Sequence, residues 1–217
     1  MKKHNIMCVL LVCCVIFTMC SCGKTMPQDN TENAVKTVTD SEGNSYTVLT
    51  DENGFPVIDE DGRIAITSGS KNETEEYATE KIDYPGILSS EDEIFTRFFN
   101  LAIPDKWQNK SDELVRIVYE DGEVSAEMTV NERPSLSMVE CVAEIEELTS
   151  ALDKPEKTVV DLDFATATKL VFMKKMLIYV FSVEERTYFV KFTSDSILTE
   201  KINYEEIVNM IKFRKGE

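Results

Sequence analysis

Closely spaced carboxylates are the side chains in this sequence best suited to hold a metal ion. Asp59-Glu60-Asp61-Gly62 has the alternating oxygen ligands and the turn glycine with which a calcium-binding loop begins. The twelfth position counted from Asp59 is Ser70 and not the glutamate that completes such a loop, which favours a solvated acidic turn. Asp161 and Asp163, at i and i+2, share one face of a predicted strand and lack a third ligand. We therefore predict no metal site, no catalytic residue and no cofactor. Calcium binding and carboxylate-based hydrolysis are the alternatives.

Two further side chains have both a chemical and a structural interpretation. Trp107 is the only tryptophan and follows a proline turn, where it would either stack on a sugar or peptide or pack against the domain edge. Cys141 falls on the apolar stripe of a predicted helix that is surrounded by acids. A buried structural thiol is therefore favoured over a reactive one, which would need a cationic neighbour.

Cys22 lies at the end of an N-terminal segment with the form of an export signal. Lys2 and Lys3 precede an apolar run of 14 residues, 6–19, which is too short for a membrane span of about 20 residues. Met19-Cys20-Ser21-Cys22 resembles a bacterial lipobox, in which the final cysteine receives a lipid and becomes the first residue of the mature chain. We predict a lipoprotein signal peptide over 1–21 and lipidation of Cys22. The alternatives are lipidation of Cys20, an ordinary secretory signal and an uncleaved anchor.

Removal of this segment would take away the only histidine and four of the six cysteines, and would leave carboxylate or lysine chemistry, oxygen-ligand metals and binding without catalysis. His4 is the only histidine, and after cleavage Cys141 is the only cysteine besides Cys22. The mature chain then has no disulfide, no Ser-His-Asp arrangement and no histidine-containing metal site. The formal net charge of −17 repels phosphates, and no polybasic cluster is visible, so nucleic acid is excluded as a partner.

An acidic stretch rich in small polar residues covers 22–88. Its few apolar residues could not offset the entropy of ordering a backbone, so we predict a largely disordered linker there. It contains a weak repeat of an apolar residue, acids and a glycine, which is typical of hairpin turns. The three copies lie at 38–43, 49–54 and 58–62.

The region 89–217 alternates between strand and helix patterns. Capping residues predict a short helix starting at Ser90, a long helix starting at Ser137 and a C-terminal helix starting at Asn203. The stripe of the long helix runs through Met138, Cys141, Ile145, Leu148 and Leu152. Strands are predicted at 98–104, 114–119, 123–130, 158–164, 169–173, 176–182 and 187–193. The expected fold is α+β, an antiparallel sheet of six or seven strands with a long central helix and a C-terminal helix.

The sequence Phe99-Asn-Leu-Ala-Ile-Pro-Asp-Lys-Trp107 is similar to the opening of PsbP/Mog1-like domains. An aromatic-rich hairpin, a terminal helix and Lys212-Phe213 fit the end of the same family, so the resemblance covers about residues 91–214. PsbP-like proteins are non-catalytic accessory subunits and Mog1-like proteins bind proteins. The resemblance thus implies a domain that binds a partner and is not an enzyme, and the lipobox predicts that it belongs to a membrane-anchored, extracytoplasmic lipoprotein. Its domain would bind a protein or cell-envelope component at the outer face of a bacterial membrane.

Overall fold

The structure is a computed structural model that describes residues 34–71, 77–194 and 198–214. The predicted signal peptide and Cys22 lie outside these residues. Two antiparallel sheets, of eight and seven strands, account for most of the described chain. No helix in the described ranges is long and apolar enough to cross a membrane.

The first sheet contains the N-terminal strands and the last strand of the chain. Its order is β15-β7-β6-β5-β1-β2-β3-β4, and the second sheet has the order β11-β12-β13-β14-β10-β9-β8, with the following bounds. The strands are β1 (Ala34–Asp40), β2 (Ser45–Thr50), β3 (Arg63–Lys71), β4 (Tyr77–Asp83), β5 (Leu88–Ser89), β6 (Glu93–Phe95), β7 (Phe99–Ala102), β8 (Trp107–Asn109), β9 (Val115–Asp121), β10 (Val124–Arg133), β11 (Glu156–Asp161), β12 (Thr166–Phe172), β13 (Met176–Val183), β14 (Arg186–Thr193) and β15 (Ile211–Phe213). The helices are α1 (Met138–Leu148) and α2 (Tyr204–Asn209).

The predicted repeat forms three equivalent turns. In each turn an aspartate accepts hydrogen bonds from the backbone N–H groups two and four residues later, and a glycine adopts positive φ. The aspartate carboxylate gives the N–H groups of a tight turn a hydrogen-bond acceptor, and glycine takes positive φ without a steric penalty. The aspartates are Asp40, Asp51 and Asp59, and the glycines are Gly43, Gly54 and Gly62.

The prediction of a disordered linker is wrong for the described part of 22–88, which contains β1 to β5. Val38, Val48 and Ile64 from its strands are buried together with Leu88 and Phe95 in one apolar cluster. Apolar residues that are sparse along the sequence therefore meet on one face of a sheet, and Phe95 completes the cluster from outside the stretch. Counting apolar residues within 22–88 alone missed this small core.

A larger core lies between the two sheets. Ile94, Phe99 and Leu101 of the first sheet share a buried cluster with residues of β9, β10, β13 and β14. Helix α1 covers the opposite face of the second sheet, where Cys141 and Ile145 pack against β12 and β13. Ser137 caps α1 in the predicted capping box with Glu140, which confirms the helix start.

The predicted α+β fold with a long central helix is wrong, because about half of the chain, 51%, is in strands. Helix α1 has only 11 residues, and Leu148 and Leu152, predicted to lie on its buried stripe, are 74% and 43% exposed. Helix α2 has six residues and starts at the predicted cap, Asn203. Instead of a helix at Ser90 there is a turn, in which the Ser90 N–H donates to the Glu93 carbonyl at 2.8 Å. Six of the predicted strands overlap strands of the second sheet and the seventh, 98–104, contains β7, but the sequence pattern missed the rest of the first sheet.

Candidate functional site

A cleft of about 1010 Å³ lies where turns of the first sheet approach the β13–β14 turn. Four cationic side chains line it: Arg97, Arg186, Lys212 and Arg214. We call this cavity the cation cleft. Four acids line the same cavity, so the cleft is balanced in charge within a chain whose formal net charge is −17, and its cations can attract an anion.

The β6–β7 turn presents Arg97 and Phe98 to the cation cleft. The Thr96 hydroxyl oxygen accepts hydrogen bonds from the N–H groups of Phe98 and Phe99, at 3.2 and 3.0 Å. The Thr96 N–H donates to the Phe99 carbonyl at 2.8 Å. These bonds fix the turn backbone, so both side chains leave it in defined directions.

Arg186 packs on the ring of Phe98. Its Cζ lies 3.9 Å from the ring centroid, within the range of a cation–π contact. Arg186 also forms an ion pair with Glu132 of the neighbouring strand β10. The Arg186 guanidinium therefore contacts both the Phe98 ring and the Glu132 carboxylate, and it holds Phe98 in the wall of the cleft.

Arg214 connects the end of the chain to the second Asp-Gly turn. Its Nη2 donates to the Pro56 carbonyl at 2.7 Å, and its Cζ lies 4.9 Å from the Phe55 ring centroid. Asn100 Nδ2 donates to the Gly54 carbonyl at 3.3 Å, a second contact between β7 and the same turn. These contacts close one side of the cleft by fastening the turn to strands β7 and β15.

Arg97 and Lys212 are the two cations of the cleft that have no hydrogen bond or ion pair within the described ranges. Both side chains are exposed. The guanidinium of Arg97 lies against Gly62, where a Cβ would be only 2.7 Å from Nη2 of Arg97. Arg97 is thus held in place by packing while its hydrogen-bond donors stay available.

The acids of the cleft lining are equal in number to its cations, and two of them are engaged in their own turns. Asp51 accepts hydrogen bonds from the N–H groups of Asn53 and Phe55, each at 2.9 Å. Asp59 accepts from the Arg63 N–H at 2.9 Å and from Lys81 Nζ at 3.0 Å. These bonds to the charged form lower the pKa of Asp59 to about 2.

This bonding bears on the predicted calcium alternative. Both carboxylate oxygens of Asp59 have protein partners, and Asp61 pairs with Arg63 at 2.7 Å. Within the described ranges no group of three or more His, Cys, Asp or Glu side chains is arranged to hold a metal ion. The Asp59 carboxylate therefore stabilises its turn by accepting hydrogen bonds from backbone N–H groups.

A second cavity of about 600 Å³ adjoins the cation cleft, and Arg97 and Phe98 line both. The Tyr84 hydroxyl group, in the lining of the second cavity, is buried without a hydrogen-bond partner in the described part of the chain. Burial raises the pKa of Tyr84, so this phenol stays a neutral donor.

The other residues singled out from the sequence lie apart from the cleft. Trp107 is buried, with its ring centroid 5.6 Å from that of Tyr119, as predicted for a packed tryptophan. Cys141 is buried as predicted, and burial raises the pKa of its thiol to about 11. Asp161 and Asp163 are exposed on either side of buried Leu162.

The contacts of the two aspartates differ. The Asp161 carboxylate accepts from the Thr166 hydroxyl group at 3.0 Å. At Asp163 it is the backbone N–H that forms a bond, to Asn209 Oδ1 at 3.0 Å. The structure therefore does not join the two carboxylates in one described site.

Sequence patterns gave no signal for the cation cleft. Its cations come from the β6–β7 turn, the start of β14 and the end of the chain, so no local spacing connects them. No protein family model matches this chain, and no curated protein sequence is significantly similar to it. The resemblance to PsbP/Mog1-like domains stays a prediction.

Proposed function

We propose that this protein is a lipid-anchored, extracytoplasmic binding module, not an enzyme, and that the cation cleft is its binding site. The anchor is the predicted lipid on Cys22, and the partner is a protein or another component of the cell envelope. The observation that supports this proposal most strongly is the grouping of four cations around one cavity in an acidic chain.

Charge distribution supports the cleft as the binding site. The chain as a whole has an excess of acids that repels anions, whereas the cleft has equal numbers of acids and cations, and its cations lie beside aromatic rings such as Phe98 and Phe213. A cleft with a few polar groups on an apolar wall is the usual form of a ligand site. Acids outside the cleft would repel the anionic part of a partner, so this part would bind at the cations of the cleft.

The proposed site lies beside the start of the described chain. Ala34 pairs with Thr50, and the Thr50 hydroxyl donates to the Ala34 carbonyl at 3.2 Å. Asp51, the next residue, already lines the cleft. In sequence, only residues 23–33 separate the predicted lipid site from β1.

Site-specific photo-crosslinking in intact cells tests the proposal. The three equivalent turns provide a matched pair of positions, because Asn53 lines the cleft whereas Glu42 occupies the same place in the first turn. A benzoylphenylalanine residue at position 53 is expected to capture one defined partner, and the same residue at position 42 is not. Equal capture at both positions, or none at position 53, contradicts the proposal.

A further inference from the structure

The cation cleft has one cation that is positioned by packing and still has free donors. The Arg97 guanidinium lies against Gly62 and 5.9 Å from the Phe98 ring centroid, and it has no hydrogen bond or ion pair in the described ranges. A guanidinium held in this way loses little conformational entropy when an acceptor binds. Its planar fork of donors matches a carboxylate, which it can bind through two parallel hydrogen bonds.

The wall beside Arg97 is apolar. Phe98 and Phe213 are half-buried and line the cleft, with Phe98 held by Arg186 and Phe213 packed 5.0 Å from Tyr188 between ring centroids. Such rings cover an apolar group next to the bound charge. The cleft volume of about 1010 Å³ has room for a ligand of short-peptide size.

The acids that line the cleft disfavour the binding of ligands with several negative charges. Arg186 is paired with Glu132, and four acids, Glu52 among them, line the cleft. A polyanion would meet these acids and gain no net attraction, because the lining carries as many acids as cations. A single carboxylate can reach Arg97, with Lys212 as the second cation, without that repulsion.

We propose that the cation cleft binds a ligand with one carboxylate on an apolar body, and that Arg97 is the residue that binds the carboxylate. This inference rests on the proposed function and specifies its ligand class. A peptide that ends in an apolar residue has this chemistry. The adjoining cavity, which Arg97 and Phe98 also line, has room for the rest of a longer ligand.

Ligand-observed NMR titration of the purified full-length protein tests the inference. The probes are N-acetylphenylalanine, its neutral amide N-acetylphenylalaninamide, acetate and dimethyl phosphate. N-acetylphenylalanine is expected to bind at least about fivefold more tightly than the neutral amide, because a hydrogen bond to a charged group is stronger than one between neutral groups. Acetate, which lacks the apolar body, is expected to bind more weakly than N-acetylphenylalanine.

Two charge-neutralising variants locate the effect. Arg97→Gln is expected to abolish the preference for the carboxylate, whereas Lys110→Gln, which removes an exposed lysine outside both cavities, leaves it unchanged. Equal affinity for the acid and the amide, a preference for dimethyl phosphate, or an unchanged preference in Arg97→Gln would overturn the inference. Crosslinking from position 53 with no carboxylate preference would refute the ligand class and leave the binding module standing.

Discussion

The guanidinium of Arg97 lies against the Cα of Gly62, in the third Asp-Gly turn, so that a Cβ at residue 62 would be 2.7 Å from Nη2 of Arg97. Residue 62 belongs to the first sheet's N-terminal hairpins and Arg97 to the β6–β7 turn. A turn far away in sequence therefore forms the surface against which the Arg97 guanidinium packs.

Replacing Gly62 by alanine should separate this packing from ordinary turn strain. Gly62 and Gly43 both have positive φ, of 80° and 89°, but nothing lies within 4 Å of a Cβ at Gly43. Gly62→Ala and Gly43→Ala should each lower the free energy of unfolding by on the order of 1–2 kcal/mol through backbone strain. Only Gly62→Ala should displace Arg97 and weaken binding of N-acetylphenylalanine. Equal binding by both variants would show that Gly62 does not position Arg97.

The burial of Ile64 predicts that the N-terminal hairpins are part of the domain's cooperative unit. Ile64 is 0% exposed in the first sheet's cluster, whereas Val35, in the preceding hairpin, is 38% exposed. Ile64→Ala should lower the free energy of unfolding by about 2–5 kcal/mol, and Val35→Ala should change it by less than about 0.5 kcal/mol. Urea unfolding followed by circular dichroism measures both. An Ile64→Ala variant as stable as the wild type would mean that this cluster does not contribute to folding.

Local patterns predicted the local structure well. The Asp-Gly repeat, the capping box at Ser137 and the strands of the second sheet each depend on residues that are neighbours in sequence. Burial of Cys141 and Trp107 followed from an apolar stripe and a proline turn. In these cases the physical cause lies within a few residues of the effect.

The first sheet and the cation cleft depend on contacts between distant segments. Strands β5 and β6 have two and three residues, which is too short for alternation to stand out from chance. Asn100 is 1% exposed and donates to the Gly54 carbonyl, a contact with a distant turn that no local spacing indicates. The predicted fold class was wrong because it was based on one moderate helix, α1, and did not include a second sheet.

The hydrogen bonds to Asp59 predict a pH-dependent contribution to stability. Because folding lowers the pKa of Asp59 from 3.8 to about 2, its stabilisation is complete above 3.8 and is lost as the pH falls toward 2. Asp59→Asn should therefore be less stable than the wild type at neutral pH, and the difference should shrink between these two pH values. Thermal unfolding of both proteins across this range provides the measurement. A difference that does not change with pH would assign the loss to turn geometry and not to the charge.

Lipidation of Cys22 predicts a change in membrane association when this thiol is removed. Cys22→Ala should leave the protein without lipid and shift it from the membrane fraction, because a two-chain lipid holds a protein durably. Cys20→Ala provides the matched control, since it leaves the predicted site intact. Mass spectrometry of the native N-terminus should show a lipid on residue 22. A lipid elsewhere, or none, would refute the predicted anchor.

The most direct test of the binding site combines crosslinking from position 53 with neutralisation of Arg97. In intact cells, capture of the partner should fall by at least about fivefold in Arg97→Gln, because the charged hydrogen bonds to the ligand are lost. Capture should be unchanged in Lys110→Gln, which has the same net charge. Equal capture in all three proteins would contradict the assignment of the cation cleft as the site that binds through Arg97.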